Sequence, residues 1–121
     1  MAAVTYFEIS GPDSEALRSF YVEAIGLAPE PGPDSPYLVI QPSDGAISGG
    51  IFDGSDLFEE PKLSYAMPYV QVDDVDAAVE QAVAGGATVV ASARQHGPTR
   101  SAHLLDPCGN RFALYTIVDP T

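Results

Sequence analysis

The sequence has 121 residues, of which 45% are hydrophobic and 18% charged, and its formal net charge is -12. This composition is typical of one globular domain, because a chain of this length buries roughly two thirds of the surface that its unfolded form exposes. Cys108 is the single cysteine. It excludes an internal disulfide and a multi-cysteine metal site, and it favours a reducing, cytoplasmic location.

The charge and hydropathy patterns exclude two classes of partner. A strongly acidic surface repels phosphate backbones and anionic lipids, and no apolar run approaches the roughly 20 residues of a membrane span. We therefore expect neither nucleic acid nor membrane as a partner.

The charge is unevenly distributed along the chain: residues 1–60 carry -10 of the net charge and residues 61–121 carry -2. The acidic first half serves either solubility or the attraction of a cationic ligand.

The first half begins with a strand and a helix. Residues of high β-propensity predict a strand over Thr5–Ser10, which Gly11-Pro12 ends. Asp13 or Gly11 is expected to cap the helix, and Gly26 is expected to end it. Apolar residues at helical spacing predict one buried stripe, formed by Ala16, Leu17, Phe20, Tyr21, Ala24 and Ile25.

The remainder of the first half is predicted to consist of strands and irregular segments. Proline and glycine cluster between Pro29 and Pro36, which indicates a loop with at most a short edge strand. Strands are predicted over Tyr37–Gln41 and Ile47–Asp53. The segment Gly54–Lys62 is polar and has no periodicity, so we expect a connector there.

The second half repeats this order, beginning with a strand over Tyr65–Val72. Asp73, Asp74 and Asp76 follow where a helix is expected to begin, because negative charge favours exposed backbone N–H groups. The expected buried stripe of that helix is Val75, Ala78, Val79, Ala82 and Val83, and Gly85-Gly86 ends it. The three predicted strands that follow are Ala87–Ala91, Ser101–Leu105 and Arg111–Val118, the last two joined as a hairpin by the turn at residues 106–110.

The two halves align at an offset of 61 residues, which places Asp13 on Asp74 and Ala16 on Ala77. A duplicated unit implies a pseudo-twofold arrangement with a cleft where the halves meet. We therefore predict an α+β fold in a single domain over residues 1–121. Two tandem βαβββ modules, at about 4–58 and 64–119, are expected to form a curved mixed sheet, a cup with the helices outside.

This pattern resembles the vicinal oxygen chelate superfamily, which contains glyoxalase I, bleomycin-resistance proteins and extradiol dioxygenases. The resemblance covers the whole chain and rests on the duplicated unit and on short motifs, namely Phe20-Tyr21, Gly26-Leu27, Val72-Asp73-Asp74-Val75 and Asp106-Pro107-Cys108-Gly109-Asn110-Arg111. It implies a cup that is completed in a homodimer. It implies no particular reaction, because the superfamily includes both enzymes and binding proteins.

The resemblance also implies four metal-ligand positions, on the first, fourth, fifth and eighth strands, which relatives fill with His, Glu or Gln. Carried over to this chain, they are Tyr6, Phe52, Met67 and Ala113, with Ile51 or Gly50 as alternatives on the fourth strand. Divalent metals of this kind require imidazole or carboxylate ligands. We therefore expect no metal and no other cofactor.

Three titratable side chains remain as candidates. Glu8 shares a strand face with Tyr6, where it is either a base or cation ligand in an apolar cup, or an ordinary carboxylate that reaches solvent or Arg111. His96 and His103 fall outside the four positions. We interpret both as surface or hairpin residues, with a metal role as the alternative.

Strand alternation predicts an aromatic, largely apolar site for a small molecule. The expected ligand-binding residues are Tyr6, Glu8, Phe52, Met67, Tyr69, Ala113 and Tyr115. Gln71 shares this face, and Tyr37 and Val39 are further candidates for it. The same tyrosines would also suit a dimer interface.

Two functional hypotheses follow. The first is a metal-independent binding protein of the bleomycin-resistance type for a cationic or aromatic compound, such as an antibiotic that it sequesters, without catalysis. The alternative is an enzyme of the glyoxalase, dioxygenase or isomerase type, either metal-dependent or cofactor-free, that uses Glu8 and His103 or His96.

Overall fold

The computed structural model describes residues 2–29, 38–41, 45–53 and 64–118. They form two compact units, one of Tyr6–Ala66 and the other of Met1–Thr5 with Met67–Thr121. The division falls inside strand β1 (Ala3–Ser10) and inside strand β4 (Tyr65–Gln71). The predicted connector, residues 30–36 of the predicted loop and Tyr37 lie outside the described residues.

The first unit contains a small mixed sheet in the order β2, β3, β1. Strand β2 is Leu38–Ile40 and strand β3 is Ser48–Phe52, both within the predicted ranges. Strand β1 runs parallel to β3, and β2 runs antiparallel to it. Pro29 begins the segment predicted to be a loop with at most a short edge strand, and it forms an isolated antiparallel bridge with Ile40.

The first helix begins and ends where the sequence predicts, but its last part is not α-helical. Helix α1 covers Ser14–Ser19 and continues as a π-helical segment over Phe20–Ile25, which Gly26 ends with φ 94°. The prediction of one buried stripe is wrong here, since Phe20 is 51% and Ile25 58% exposed. The i to i+5 hydrogen bonding of the π segment changes the angular spacing, so these side chains leave the α-helical stripe.

A close contact fixes the packing between β1 and β3. Phe7 stands opposite Gly49 in the parallel register. A Cβ atom at Gly49 would lie 2.2 Å from two atoms of the Phe7 ring. Glycine is therefore required sterically, because no heavier residue leaves room for the ring. Helix α1 packs against β3 as well.

The second unit has the complete strand, helix and three-strand order that the sequence predicts. Helix α2 (Val75–Ala84) follows β4, and the strand order is β4, β7, β6, β5. The remaining strands are β5 (Thr88–His96), β6 (Thr99–Leu105) and β7 (Arg111–Ile117). The α+β class is thus confirmed.

The predicted end of β5 at Ala91 is wrong. The strand continues to His96 through two register shifts and turns back into β6 at Gly97, which has φ 55°. Glycine accommodates this left-handed angle, so Gly97 and Pro98 form the turn of the β5–β6 hairpin, whose strands carry the two histidines.

The core of the second unit lies between α2 and the sheet. Its buried residues are Val75, Ala102, Leu104 and Leu114. Ala78, Val79 and Ala82 pack against them, as predicted, whereas Val83 is exposed. The predicted β6–β7 hairpin is confirmed, and Asp106 closes its turn by accepting hydrogen bonds from the N–H groups of Cys108 and Asn110.

The duplication is visible in the helix caps. The Asp13 carboxylate accepts from the Ala16 N–H at 3.1 Å, and the Asp74 carboxylate accepts from the Ala77 N–H at 3.2 Å. These pairs are the ones that the 61-residue offset superimposes. The cluster of acids at the start of α2 thus includes the expected cap.

The strand registers refine the alignment of the halves. Glu8 stands opposite Gly50 on β3, whereas Tyr69, 61 residues after Glu8, stands opposite Ala113 on β7. Gly50 is therefore the counterpart of Ala113, and Phe52 is the counterpart of Tyr115.

The helices of the described residues are too short or too polar to cross a membrane.

Candidate functional site

The first candidate group lies on one face of the sheet in the first unit. Alternation along β1 places Tyr6, Glu8 and Ser10 on the same face. The β3 residues that stand opposite them, and therefore share this face, are Ser48, Gly50 and Phe52. Val39 stands opposite Gly50 and joins the group, as predicted for this residue.

Glu8 is the chemically distinctive member of this face. It is only 4% exposed, and its Oε1 atom accepts a hydrogen bond of 2.7 Å from the hydroxyl group of Tyr65. The alternative in which Glu8 simply reaches solvent is therefore wrong, and its pairing with Arg111 stays a prediction. Burying a carboxylate is costly unless hydrogen bonds compensate for the lost water, so Tyr65 supplies part of that compensation.

Neither Tyr65 nor Ser10 was among the predicted site residues. Tyr65 begins β4, and a strand pattern alone does not show which distant carboxylate its hydroxyl group reaches. Ser10 is 3% exposed and stands opposite Phe52. Its alternation with Glu8 along β1 is the sequence signal that could have placed it on this face.

The second candidate group lies on one face of the second unit. Tyr69 on β4, Ala113 on β7 and His103 on β6 stand side by side in the register. Met67 shares the face by alternation and is 2% exposed. The Tyr69 hydroxyl group and His103 Nε2 are 3.4 Å apart, and their rings meet edge to face at 5.8 Å.

His103 is a buried residue, so its interpretation as a surface histidine is wrong. It is 7% exposed. Burial lowers the pKa of its imidazole to about 4, and electrostatic interactions with Arg111, Arg94 and His96 act in the same direction. The ring is therefore neutral at pH 7. Counting outward along both strands from the β6–β7 turn would have placed His103 opposite Ala113, on the face of the expected site.

Tyr115 extends this second group. Its ring meets that of Tyr69 at a centroid distance of 5.9 Å. Its hydroxyl group hydrogen-bonds with Thr5 and donates to Gln71 Oε1 at 3.4 Å. Two tyrosines and a neutral histidine thus form an aromatic cluster in which each tyrosine hydroxyl group has a hydrogen-bonding partner.

The other residues singled out by sequence lie apart from these groups. His96 is exposed, as predicted, and accepts a hydrogen bond from Arg94 Nε at 2.9 Å. Cys108 is also exposed and occupies the β6–β7 turn. Asp76, at the start of α2, forms an ion pair of 2.9 Å with Arg100, which joins helix and sheet rather than lining a site.

The metal positions implied by the family resemblance do not fit a divalent ion. Tyr6, Met67 and Ala113 occupy three of them, and Phe52 or its register alternative Gly50 occupies the fourth. These side chains offer no imidazole or carboxylate. Within the described ranges, no three His, Cys, Asp or Glu side chains are placed to hold an ion together.

Comparisons with known proteins identify the family. The model of the glyoxalase-like domain matches residues 7–115. A search of the curated proteins gave no match.

Among solved structures, an NAD-dependent benzaldehyde dehydrogenase from Legionella pneumophila is 14% identical. The alignment covers 93% of this chain and 97% of that chain, with a TM-score of 0.67. A methylmalonyl-CoA epimerase from Streptomyces coelicolor, in complex with 2-nitronate-propionyl-CoA, is 18% identical. That alignment covers 98% of both chains, with a TM-score of 0.58. At these identities the likeness concerns the fold alone. The chain belongs to the glyoxalase-like domain family, which confirms its predicted place in the vicinal oxygen chelate superfamily.

Proposed function

We propose that this protein is a metal-independent binder of a small organic cation and that Glu8 recognises the ligand's positive charge. The observation that carries the proposal is the burial of the Glu8 carboxylate together with its hydrogen bond from Tyr65. The Coulombic attraction of a buried carboxylate for a cationic ligand is stronger than that of an exposed one because water screens it less, and a carboxylate that is buried in the folded protein has already lost most of its hydration.

The charge of the whole chain supports a cationic ligand. A net charge of -12, concentrated in residues 1–60, attracts cations and raises their rate of encounter. Phe52 and Tyr6 share the face of Glu8. Their rings add apolar area and cation–π attraction for an aromatic amine. Because Glu8 is nearly covered, neighbouring side chains must shift to admit the ligand, and association should be slower than diffusion.

Metal independence rests on the donor set at the four positions of the family. Tyrosine, methionine, alanine and either phenylalanine or glycine do not form a site for a divalent cation. Treatment with a chelator should therefore leave ligand binding unchanged. Sequestration of a cationic antibiotic is the biological use that we propose for such a site.

A matched pair of probes tests the charge preference. 2-Naphthylmethylamine is protonated at neutral pH, whereas 2-naphthylmethanol has nearly the same shape and no charge. After chelator treatment, calorimetry at low salt should show the amine binding roughly tenfold or more tightly, and high salt should reduce the difference. Equal affinity for the two probes at both salt concentrations would overturn the proposal.

Two variants show whether Glu8 causes the preference for the amine. Glu8→Gln retains an oxygen acceptor for the Tyr65 hydroxyl group but removes the charge, so it should abolish the preference for the amine. Glu15→Gln removes an exposed carboxylate of α1 and should retain the preference. If both variants behave alike, the overall field rather than Glu8 selects the cation.

A cofactor-free enzyme is the second candidate, and the same hydrogen bond favours it. The Tyr65 hydroxyl group holds one oxygen of the Glu8 carboxylate, and an oriented, buried carboxylate suits the removal of a proton from carbon. Deuterium exchange into a carbon acid such as dihydroxyacetone, followed by proton NMR, tests this activity. Exchange that Glu8→Gln abolishes would favour the enzyme, and exchange unaffected by this change would exclude Glu8 as the base.

Homodimerisation is part of the proposal, because the family resemblance implies it. Sedimentation equilibrium measures the mass in solution. A monomer at high micromolar concentration would remove the dimer from the account without affecting the role of Glu8.

A further inference from the structure

Three residues form a row across the sheet of the second unit. Tyr69, Ala113 and His103 stand side by side on β4, β7 and β6. The central residue contributes only a methyl group, so the two outer rings meet across it. Their planes are 88° apart, and His103 Nε2 lies 3.4 Å from the Tyr69 hydroxyl oxygen. A larger residue at position 113 would separate them.

The two rings differ in their exposure. His103 is buried, whereas Tyr69 is only partly buried. The ring of Tyr69 also contacts the ring of Tyr115, at a centroid distance of 5.9 Å. A molecule that approaches this face therefore meets the partly exposed tyrosine rather than the buried histidine.

The electrostatic surroundings favour an uncharged partner. Arg111 on β7 and Arg94 and His96 on β5 disfavour positive charge at His103, and Tyr69 is the polar neighbour on β4. The imidazole is neutral, so it accepts or donates one hydrogen bond at Nε2, depending on its tautomer. The two guanidinium groups also disfavour an ammonium group at this place.

We infer that Tyr69 is a hydrogen-bonding contact through which this face of the second unit binds an uncharged hydroxyl or carbonyl oxygen of a small aromatic molecule, and that His103 is the residue that positions the Tyr69 hydroxyl group. The inference goes beyond the proposed function, which concerns Glu8 and the first unit.

The hydroxyl group of a probe isolates this contact. 2-Naphthol and naphthalene share a ring system and differ by one hydroxyl group, and neither is charged at neutral pH. The chain contains no tryptophan, so probe fluorescence is measured without tryptophan emission. The unsubstituted protein should bind 2-naphthol roughly five- to tenfold more tightly than naphthalene, the value of one good hydrogen bond.

Substitutions separate the contact residue from the positioning residue. Tyr69→Phe retains the ring and should abolish the preference for 2-naphthol. His103→Leu should reduce the preference, and His103→Gln, whose amide reaches near the Nε2 position, should restore most of it. A residue that serves only packing would lower naphthalene affinity equally and leave the ratio of the two affinities unchanged.

The outcomes distinguish this inference from the proposed function. If 2-naphthol does not bind, if it has no advantage over naphthalene, or if Tyr69→Phe retains the advantage, this inference is overturned whatever the amine probe does. Binding of the amine probe that depends on Glu8 supports the proposed function alone. Thermal unfolding of each variant confirms that it is folded, and Tyr69→Phe decides the outcome if His103→Leu unfolds.

Discussion

The Tyr65 hydroxyl group donates a hydrogen bond of 2.7 Å to Glu8 Oε1, although 57 residues separate the two in sequence. The bond joins the start of β4 to the middle of β1 within the first unit. It gives a buried carboxylate a partner that a simple strand pattern does not reveal. Its contribution to stability and its role in orienting Glu8 are both measurable.

Tyr65→Phe should lower the free energy of unfolding by about 1.5–3 kcal/mol, because hydrogen bonds to charged groups contribute more than neutral ones. In a Glu8→Gln background the same substitution should cost only about 1 kcal/mol. Urea unfolding of the unsubstituted protein, the two single variants and the double variant gives the coupling energy between Tyr65 and Glu8. Equal costs in both backgrounds would show that the hydroxyl group does not interact with the charge.

His103 should make stability depend on pH. Its pKa is about 4 in the folded protein, against 6.5 as its ordinary value. Between these values the unfolded chain takes up a proton that the folded chain does not. The contribution of the neutral His103 to the free energy of unfolding is therefore fully present above pH 6.5. It falls by about 3 kcal/mol as the pH is lowered from 6.5 to 4.

The variant His103→Gln removes this contribution, so its stability should fall less steeply over the same pH range. The carboxylates titrate in both proteins and largely cancel in the comparison. His96→Gln is the matched control, because His96 is exposed, and it should follow the unsubstituted protein. Parallel pH curves for all three proteins would contradict the burial of a neutral His103.

Gly49→Ala should destabilise the first unit by about 1–3 kcal/mol, because its Cβ atom would overlap the Phe7 ring. Gly85→Ala is the control: it ends α2 with φ -86°, and its Cβ atom would be 3.5 Å from the nearest backbone oxygens. Replacing Phe7 by leucine in the Gly49→Ala protein should recover part of the loss. Chemical denaturation measures all three, and equal tolerance of the two alanines would refute the contact.

Asp74→Ala should cost about 1 kcal/mol, since it removes the side-chain acceptor that caps α2. Asp74→Asn retains an acceptor oxygen and should cost much less. Glu80→Ala changes an exposed acid of the same helix and controls for loss of charge. Thermal melts that rank asparagine with alanine at position 74 would show that the cap does not act through its hydrogen bond.

Much of the fold could be predicted because its local signals agree. Asp13 and Asp74 each precede an apolar periodic segment by the same spacing, and both are observed as caps. The hairpin turn that begins at Asp106 also follows from local chemistry, because its carboxylate and Gly109, with φ 88°, close it. Such features depend on a few neighbouring residues.

The remainder depends on contacts between distant residues. The exposure of Phe20 follows from a π-helical segment that the apolar spacing does not indicate. The burial of His103 depends on the β6–β7 register, and the partner of Glu8 is a tyrosine far along the chain. Periodicity predicts which face a residue occupies. It does not predict which polar atoms form hydrogen bonds with one another on that face, and those hydrogen bonds determine what the candidate site can bind or catalyse.

A crystal structure of the chelator-treated protein with 2-naphthylmethylamine tests the central claim most directly. The ammonium nitrogen should lie within hydrogen-bonding distance of the Glu8 carboxylate, with the naphthyl ring against the face that carries Tyr6 and Phe52. An ammonium group bound away from Glu8, or a metal ion that restores binding after chelation, would contradict it.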